Sequence, residues 1–315
     1  MKPNRVCDLL GIDAPVLQGG MLWLASAELA AAVCNAGALG ILSAYAGMAD
    51  GADPVENLRL QIRRMRELTS KPFGINVPLD LPEAGLLLDA ALRDGVRVAV
   101  TAAGSPAHYT EWLRSSGVRV LHVVSSVSQA VFSASCGADA VIAEGTEAGG
   151  KLGREELSLM SLVPQVRDAV SCPVIAAGGI VDGRGLAAAF ALGAEGVQLG
   201  TRFVATEECP AHPRYKQAIL EARDTGTIVT RRAGVPTRSL REGFAREVSV
   251  LEKSGAPAES IRTFVGRGRS RKAQLDGNLS DGDAYAGSSA GMIREILPVA
   301  AVVESLIEAY RELPH

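Results

Sequence analysis

The sequence predicts a (β/α)₈ TIM barrel of the α/β class, followed by a smaller, mainly helical second domain. Short apolar runs end in or near glycine, and an Ala/Leu-rich segment with helical period follows. Three such segments end with glycine, a small residue and the next apolar run: "NAGALGI" (35–41), "SCGADAV" (135–141) and "ALGAEGV" (191–197). Glycine at that position supplies the left-handed cap of a helix and starts the next strand.

Eight apolar runs are candidate strands, and their near-continuous apolar character is typical of parallel strands covered by helices. They span residues 14–19, 39–44, 73–79, 96–103, 118–125, 138–145, 173–179 and 196–203. Eight βα units within about 200 residues predict a barrel whose active site is built from loops at the carboxyl ends of the strands. The alternative, an open doubly wound sheet, would carry GxGxxG in its first turn, and "LQGGML" (17–22) does not supply it.

The pattern changes after Phe203, which divides the chain into three predicted parts. Residues 1–204 form the barrel, 205–280 a small inserted substrate or lid domain, and 281–315 helices that return to the barrel. The middle part is rich in charge and glycine and shows no strand-like alternation, so we expect it to be partly helical. Two segments of helical period, 285–296 and 299–313, are apolar enough on one face to pack on the barrel.

Composition excludes several classes of function. The net charge of −3 over 315 residues predicts neither nucleic acid nor an anionic membrane surface as a partner. The five cysteines are widely spaced and include no CxxC pair, which favours a reducing, cytoplasmic location over a disulfide framework or a metal site. The uncharged stretch 29–49 is mostly small residues, so we interpret it as a helix, a turn and a buried strand rather than a membrane span.

Two glycine-rich loops after the seventh and eighth strands predict a phosphate site. In barrels of this type these loops often hold phosphate through backbone N–H groups. Gly178, Gly179 and Gly200 allow close backbone approach, and the Thr201 hydroxyl can donate to a phosphate oxygen. The alternative role for these glycines is in tight turns. With no Walker motif in the chain, the loops indicate a phosphorylated cofactor such as FMN.

The ends of the first and third strands would face the same mouth. A flat ring could lie against the Gly19–Gly20 backbone, and Asn76 could hydrogen-bond a ring carbonyl or nitrogen. Alternatively, the two glycines only form a turn, and the Asn76 side chain only hydrogen-bonds nearby backbone.

The motifs "GADAVIAEGTEAGGKLG" (137–153), "PVIAAGGIVDGRGLAAAFALGAEGVQLGTRFV" (173–204) and "HPRYK" (212–216) closely resemble the nitronate monooxygenase (2-nitropropane dioxygenase) superfamily, particularly its FMN-dependent enoyl-acyl-carrier-protein reductase II branch. The resemblance runs from about residue 5 to residue 313. It implies an FMN-containing barrel with a smaller inserted domain. By position, it implies that the following residues hold the flavin: Gly19, Gly20, Met21, Asn76, Glu144, Gly149, Gly150, Gly178, Gly179, Gly200 and Thr201.

The catalytic loop departs from the pattern of this family. The family usually reads "EAGGH", whereas this chain reads "EAGGK" and has Lys151 in place of the histidine. A second departure is Ser288, where relatives often carry glutamine. His122 is not the missing histidine by sequence position, and we interpret it as a core or mouth residue on the fifth strand.

Lysine changes which chemistry is expected. A neutral imidazole is a suitable base near pH 7, whereas an ordinary lysine, with a pKa of about 10.4, is mostly protonated. As a cation, Lys151 could bind an anionic nitronate, polarise an enoyl thioester carbonyl or deliver a proton after hydride transfer. A solvated lysine in a site that has lost activity is the alternative.

The sequence therefore predicts an FMN-dependent oxidoreductase in which NADH or NADPH reduces the flavin and the flavin reduces an enoyl thioester, with Lys151 as the catalytic residue. A nitronate monooxygenase and a flavin-binding protein with lost activity remain the alternatives. We expect a small-molecule or acyl-thioester substrate, and we leave a carrier protein and a homodimer open as partners. A basic stretch could meet an acidic carrier or a phosphate, or be a solvated loop: Arg262, Arg267, Arg269, Arg271 and Lys272.

Overall fold

A computed structural model describes residues 4–231 and 234–312, and it contains eleven strands and fourteen α-helices in those ranges. The predicted part 205–280, the predicted segment 299–313 and both chain ends therefore lie partly outside the described residues. The strands are β1 (Val16–Gln18), β2 (Ile41–Ser43), β3 (Gly74–Pro78), β4 (Val98–Ala102), β5 (Arg119–Val124), β6 (Ala140–Glu144), β7 (Gly150–Lys151), β8 (Val174–Ala177), β9 (Gly196–Leu199), β10 (Thr227–Thr230) and β11 (Thr237–Leu240).

Eight of these strands form one parallel sheet in the order β1-β9-β8-β6-β5-β4-β3-β2. The two ends of that order are joined as well. The N–H of Gln18 donates to the carbonyl of Leu39, and the N–H of Leu39 donates to the carbonyl of Val16, both at 2.9 Å. These bonds connect β1 to the residues just before β2. The predicted eight-stranded barrel is thereby confirmed.

Side chains alternate between the inside of the barrel and the helical layer around it. On β6, Ala140 and Ile142 belong to the apolar cluster inside the barrel, whereas Val141 and Ala143 pack under the helices. The interior cluster also contains Leu17, Leu121 and Ala177 among other residues of the strands. Residues that are two apart on one strand therefore share a side, which decides which side chains reach the mouth.

The helices are α1 (Arg5–Leu10), α2 (Ala27–Asn35), α3 (Pro54–Leu68), α4 (Ala84–Arg93), α5 (Thr110–Ser115), α6 (Val127–Ser135), α7 (Leu159–Ala169), α8 (Gly183–Ala191), α9 (Thr201–Val204), α10 (Pro213–Glu221), α11 (Gly243–Lys253), α12 (Ala258–Val265), α13 (Arg269–Gln274) and α14 (Val299–Glu312). The predicted glycine caps have positive φ angles of 93° at Gly37, 92° at Gly137 and 96° at Gly193. Helix α14 packs against α8 and α2, so it fills the gap between the last and first barrel units.

Residues 205–280, which were predicted to form a second domain, contribute two strands to a sheet that the sequence did not predict. Strands β10 and β11 pair antiparallel, and β11 also pairs with β7 from the loop that follows β6. Helices α10 to α13 cover more of residues 205–280 than strands β10 and β11 do. The residues of β10 and β11, "TIVT" and "TRSL", are largely polar, and long-range pairing rather than apolar alternation makes them strands.

Two local predictions were wrong. Thr201, Arg202 and Phe203 were expected to extend the eighth strand, but they begin the short helix α9. The segment 285–296 was expected to be a helix, but only a 3₁₀ turn at Ser288–Met292 forms. Residues 287–289 instead form hydrogen bonds with Thr201, Glu147 and Gly179 in the neighbouring loops. The described part of the chain also contains no helix long and apolar enough to cross a membrane.

Candidate active site

The carboxyl ends of five barrel strands bring the predicted site residues together. Gly19, Gly20 and Met21 follow β1, Asn76 lies in β3, and the loop 144–151 follows β6. Gly178 and Gly179 follow β8, and the pair Gly200 and Thr201 follows β9. All of these elements end on the same side of the barrel because its strands are parallel.

Gly20 and Asn76 lie in direct contact across the mouth. A Cβ atom at Gly20 would lie 2.3 Å from Cβ of Asn76, so no other residue fits there without movement of the asparagine. The Asn76 side chain is half-buried, and its Nδ2 donates to the carbonyl of Val100 at 3.2 Å. The Oδ1 atom takes no part in that bond, so it can accept a hydrogen bond from a ligand at the mouth of the barrel.

Gln198 is a site residue that the sequence analysis missed. It shares the interior side of β9 with Gly196, and its side chain lies 3.3 Å from where a Cβ of Gly19 would be. Its buried Oε1 accepts no hydrogen bond from the described residues. A buried acceptor without a donor is costly, so this atom indicates a ligand that offers an N–H or O–H group. A glutamine in an otherwise apolar barrel strand was the available signal.

The loops after β8 and β9 present free backbone donors. The N–H groups of Gly178, Gly179 and Gly200 donate to no backbone carbonyl within residues 4–231 and 234–312. Gly178 and Gly179 have φ angles of 106° and 71°, which L-residues rarely adopt. No atom lies within 4 Å of a Cβ built on Gly200, so the loop borders open space. The arrangement can hold an anion through backbone donors.

The segment 286–289 lies across these loops and belongs to the same site. The Gly287 N–H donates to Oγ1 of Thr201 at 3.0 Å, which leaves the threonine hydroxyl proton available for another acceptor. The Ser288 N–H donates to the carbonyl of Glu147 at 2.9 Å, and the Ser289 hydroxyl donates to the carbonyl of Gly179 at 2.6 Å. Sequence analysis had singled out only Ser288 here.

Glu147 anchors the loop that carries Lys151. Both carboxylate oxygens of Glu147 accept from the N–H of Leu159 at 3.1 Å, at the first turn of α7. Ser158 occupies the N-cap position but makes no capping bond with its side chain. The glutamate therefore supplies the cap from outside the helix, and the positive end of the helix dipole favours its charge.

Glu144 is the acidic residue of the mouth. It lies on the same side of β6 as Ala140 and Ile142, which places its carboxyl group at the top of the barrel interior. Its carboxyl group makes no hydrogen bond or ion pair with any described residue. The residue is half-buried, and desolvation raises the pKa of Glu144 to about 7 because the charged form loses water and gains no partner.

Lys151 lies in β7, at the junction of the barrel and the small sheet. Its backbone pairs with Thr237 of β11, and its side chain is exposed. Directly cross-strand residues share a face of the sheet, so Lys151 lies in one row with Thr237 and Thr230. The neighbouring Arg238 donates from Nε to the carbonyl of Thr146 at 2.9 Å and ties the sheet to the loop after β6.

His122 is a buried core residue, as expected from its position on the fifth strand. It is 4% exposed, and Nδ1 lies 2.7 Å from Oγ1 of Thr101. Desolvation lowers the pKa of His122 to about 4, so the ring is neutral at pH 7. Its neighbours Leu121 and Val123 pack with the barrel interior, so His122 points to the helical layer. It does not replace the missing histidine.

Most of the basic stretch has internal partners. Arg269 and Lys272 both form ion pairs with Asp281, and the Arg269 guanidinium lies 4.9 Å from the ring centre of Phe244. Arg271 lies 3.5 Å from Asp50 and Arg262 lies 3.2 Å from Glu259. These ion pairs engage most of the basic side chains locally, and the pair with Asp50 links Arg271 to the loop after β2.

The "HPRYK" motif is structural in the same way. The Tyr215 hydroxyl donates to the carbonyl of Tyr285, and Nζ of Lys216 donates to the carbonyl of Thr206 at 2.6 Å. The first bond holds the backbone just before the segment 286–289, and the second holds the backbone a few residues after Thr201. A surface cavity of about 740 Å³ lies at the opposite end of the barrel, where Arg114 and Arg119 share Asp139.

Comparisons with known proteins agree with this architecture. The family described as nitronate monooxygenase matches residues 4–309. A Mycobacterium tuberculosis protein named (3aS,4S,5R,7aS)-5-hydroxy-7a-methyl-1-oxo-octahydro-1H-indene-4-carboxyl-CoA dehydrogenase is 39% identical over 259 residues, which covers 81% of this chain and 71% of the relative.

Two solved structures extend over nearly the whole chain. FabK from Thermotoga maritima superposes with a TM-score of 0.92 at 43% identity and covers 99% of this chain and 97% of its own. The nitroalkane oxidase of Streptomyces ansochromogenes superposes with a TM-score of 0.80 at 33% identity, covering 98% and 99%.

Proposed function

The chain belongs to the nitronate monooxygenase family and is an oxidoreductase, and from this premise we propose that it uses FMN to reduce an enoyl thioester, with NADH or NADPH as the source of hydride. The observation that carries the proposal is the 43% identity with FabK, an enoyl-ACP reductase II, over 99% of this chain. The groups at the barrel mouth that could hold a ring and a phosphate support it. Bound FMN would accept a hydride from the nucleotide and pass it to the β-carbon of the substrate.

The residues at the mouth fit FMN. The orphaned Oε1 of Gln198 suits the ring N–H of a flavin, and the Gly19–Gly20 backbone leaves room for a flat ring beside Asn76. The free N–H groups of the loops after β8 and β9 suit a phosphate, and they lie next to the Thr201 hydroxyl. One elongated ligand with a ring and a phosphate satisfies both groups of donors and acceptors.

The identities of the relatives support thioester chemistry. FabK, an enoyl-ACP reductase II, is 43% identical, and the carboxyl-CoA dehydrogenase is 39% identical. The nitroalkane oxidase is 33% identical. Both names describe an oxidoreductase whose substrate is an acyl thioester, so both relatives favour that substrate class.

Lys151 is proposed to assist at the thioester. Its exposed ammonium can donate a hydrogen bond to the thioester carbonyl oxygen, where negative charge grows as hydride reaches the β-carbon. Glu147 and the pairing with β11 position its backbone. A base-initiated nitroalkane oxidation would need a neutral acceptor of a carbon-bound proton at this position, which a protonated lysine does not offer.

Anaerobic stopped-flow spectroscopy tests the proposal. We expect NADH or NADPH to bleach the flavin rapidly and crotonyl-CoA to restore its absorbance. Bleaching by a saturated acyl-CoA, without a response to either nucleotide, would reverse the proposed direction. Bleaching by an alkyl nitronate alone would instead support the second candidate, a nitronate monooxygenase, which the description of the family favours.

Variants of Lys151 test its role. Lys151→Ala should slow the reoxidation by crotonyl-CoA by about 10²-fold or more, as expected for loss of a group that stabilises developing charge, and leave reduction by nucleotide unchanged. Lys253→Ala, on the exposed face of α11, is the matched control and should change neither step. Equal reoxidation rates in wild type and Lys151→Ala would remove Lys151 from the reaction.

A further inference from the structure

Gln18 is a fully buried polar side chain in the wall of the barrel. It ends β1 and is 0% exposed, and its N–H makes the last backbone hydrogen bond of β1 toward β2, with the carbonyl of Leu39. Beyond that bond the side chain connects the two strands. Its Oε1 accepts from the N–H of Ile41 at 3.1 Å, and its Nε2 donates to the carbonyl of Gly19. The side-chain amide therefore takes the place of a peptide group between β1 and β2.

The two partners of this amide fix its orientation. The N–H of Ile41 needs an acceptor and the carbonyl of Gly19 needs a donor, so Oε1 faces the first and Nε2 faces the second. An apolar side chain at position 18 would leave both backbone groups without this partner.

The bond to Gly19 sets the direction of the next N–H group. The described residues contain no cis peptide bond, and the carbonyl and N–H of a trans peptide point in opposite directions. Because the Gly19 carbonyl points to Gln18, the Gly20 N–H points away from it. This N–H donates to no acceptor among the described residues. Gly20 contacts the side chain of Asn76 across the mouth, so the free donor borders the space that suits a flavin ring.

The peptide between Gly19 and Gly20 has little else to hold it in one orientation. The N–H of Gly19 donates to the carbonyl of Leu199 at 2.9 Å, but that bond fixes the preceding peptide. Neither flanking residue has a Cβ atom, and glycine adopts φ angles of either sign. A half-turn of the peptide would place its carbonyl where its N–H now stands. The bond from Gln18 opposes that rotation.

We propose that Gln18 is a positioning residue that holds the Gly19–Gly20 peptide with its N–H toward the flavin ring and thereby raises the reduction potential of the flavin. The inference rests on the proposed function only in requiring FMN at this site. Negative charge on the ring grows when the ring is reduced. An N–H dipole aimed at the ring stabilises that charge, whereas a carbonyl in the same place destabilises it.

The reduction potential of the FMN-loaded protein tests the inference without nucleotide or thioester. It is measured by anaerobic reduction against a dye of known potential. Gln18→Met keeps the length of the side chain and removes both of its hydrogen bonds. We expect the equilibrium constant for reduction to fall at least about tenfold, which is a shift of about 30 mV to lower potential for a two-electron couple. An unchanged potential would overturn the inference.

Gln61→Met is the matched control. Gln61 also connects two backbone groups, because it accepts from the N–H of Ala27 at 2.7 Å and donates to the carbonyl of Ala46 at 3.2 Å. It has no bond to Gly19. The variant should keep the wild-type potential even where it unfolds at lower urea concentration. An equal fall of the potential in both variants would show a general loss of structure and would also overturn the inference.

A crystal structure of FMN-loaded wild type does not depend on a variant that folds. We expect the Gly19 carbonyl on Nε2 of Gln18 and the Gly20 nitrogen within about 3.2 Å of an acceptor atom of the ring. A Gly19 carbonyl turned toward the ring, or a ring without an acceptor at that distance, would contradict the proposal.

Failure of the proposed function alone looks different. FMN would then bind, and the potentials of wild type and Gln18→Met would differ as expected, but the flavin would respond to neither nucleotide nor thioester. A wild-type protein that binds no FMN would overturn both proposals.

Discussion

Protonation of His122 is expected to destabilise the fold below neutral pH. The ring is buried in the helical layer next to Thr101, and desolvation lowers its pKa from 6.5 to about 4. The unfolded chain binds this proton near pH 6.5, whereas the folded chain binds it only near pH 4. Stability from the neutral ring is therefore complete above pH 6.5 and is lost as the pH falls toward 4.

The magnitude follows from the two pKa values. At pH 5 the unfolded histidine is almost fully protonated and the folded one is mostly neutral, which corresponds to a loss of about 2 kcal/mol relative to pH 7.5. Below pH 4 the loss levels off at about 3 kcal/mol. Against a total stability of roughly 5–15 kcal/mol, this is a measurable fraction.

Urea denaturation at pH 7.5 and pH 5 measures the effect. Between these pH values, wild type should lose about 2 kcal/mol more of its free energy of unfolding than His122→Gln, which does not titrate. For each protein we compare the free energy of unfolding at pH 7.5 with that at pH 5. Any pH-independent cost of the substitution cancels in this difference. His108→Gln, at an exposed histidine, should behave as wild type. Parallel losses in wild type and His122→Gln would refute the argument that the ring is buried and neutral.

Three further substitutions test the site and its supports. Gly200→Ala should leave the stability of the FMN-free protein within about 0.5 kcal/mol of wild type, because no atom lies within 4 Å of the added Cβ, yet weaken FMN binding at least about tenfold in a fluorescence titration. Unchanged affinity would exclude Gly200 from the phosphate site. Glu147→Ala should cost about 1 kcal/mol in urea denaturation through loss of the α7 cap, whereas Ser158→Ala should cost less than about 0.5 kcal/mol; equal costs would contradict the capping role. Asp283→Asn should cost about 3 kcal/mol, because Asp283 is 1% exposed and is the partner of Arg231. A thermal unfolding midpoint that does not change would show that this ion pair contributes little.

The barrel was predictable because its signals are local. Each strand is a short apolar run, and glycines such as Gly37 and Gly137 cap the preceding helices whatever the rest of the chain does. The glycines of the loops after β8 and β9 were recognisable for the same reason. The resemblance to a known family then supplied the expected role of Lys151, which neither spacing nor composition could supply.

The structure of residues 205–280 was less predictable because their strands depend on distant partners. The polar strand β11 exists through pairing with β10 on one side and with Gly150 and Lys151 on the other. The segment 285–296 has helical period, but it follows the loops at Glu147, Gly179 and Thr201 instead. Local propensity is weak in such segments, and tertiary contacts decide the conformation.

The sequence by itself determined the eight βα units, the glycine loops at their ends and the substitution of lysine in the catalytic loop. Only the tertiary structure decided that Gln198 and Glu144 face the barrel interior and that His122 faces away from it. An apolar run can reveal that a strand exists. The side that each of its residues faces is settled when the strands close into a barrel, because closure fixes which alternate residues point inward.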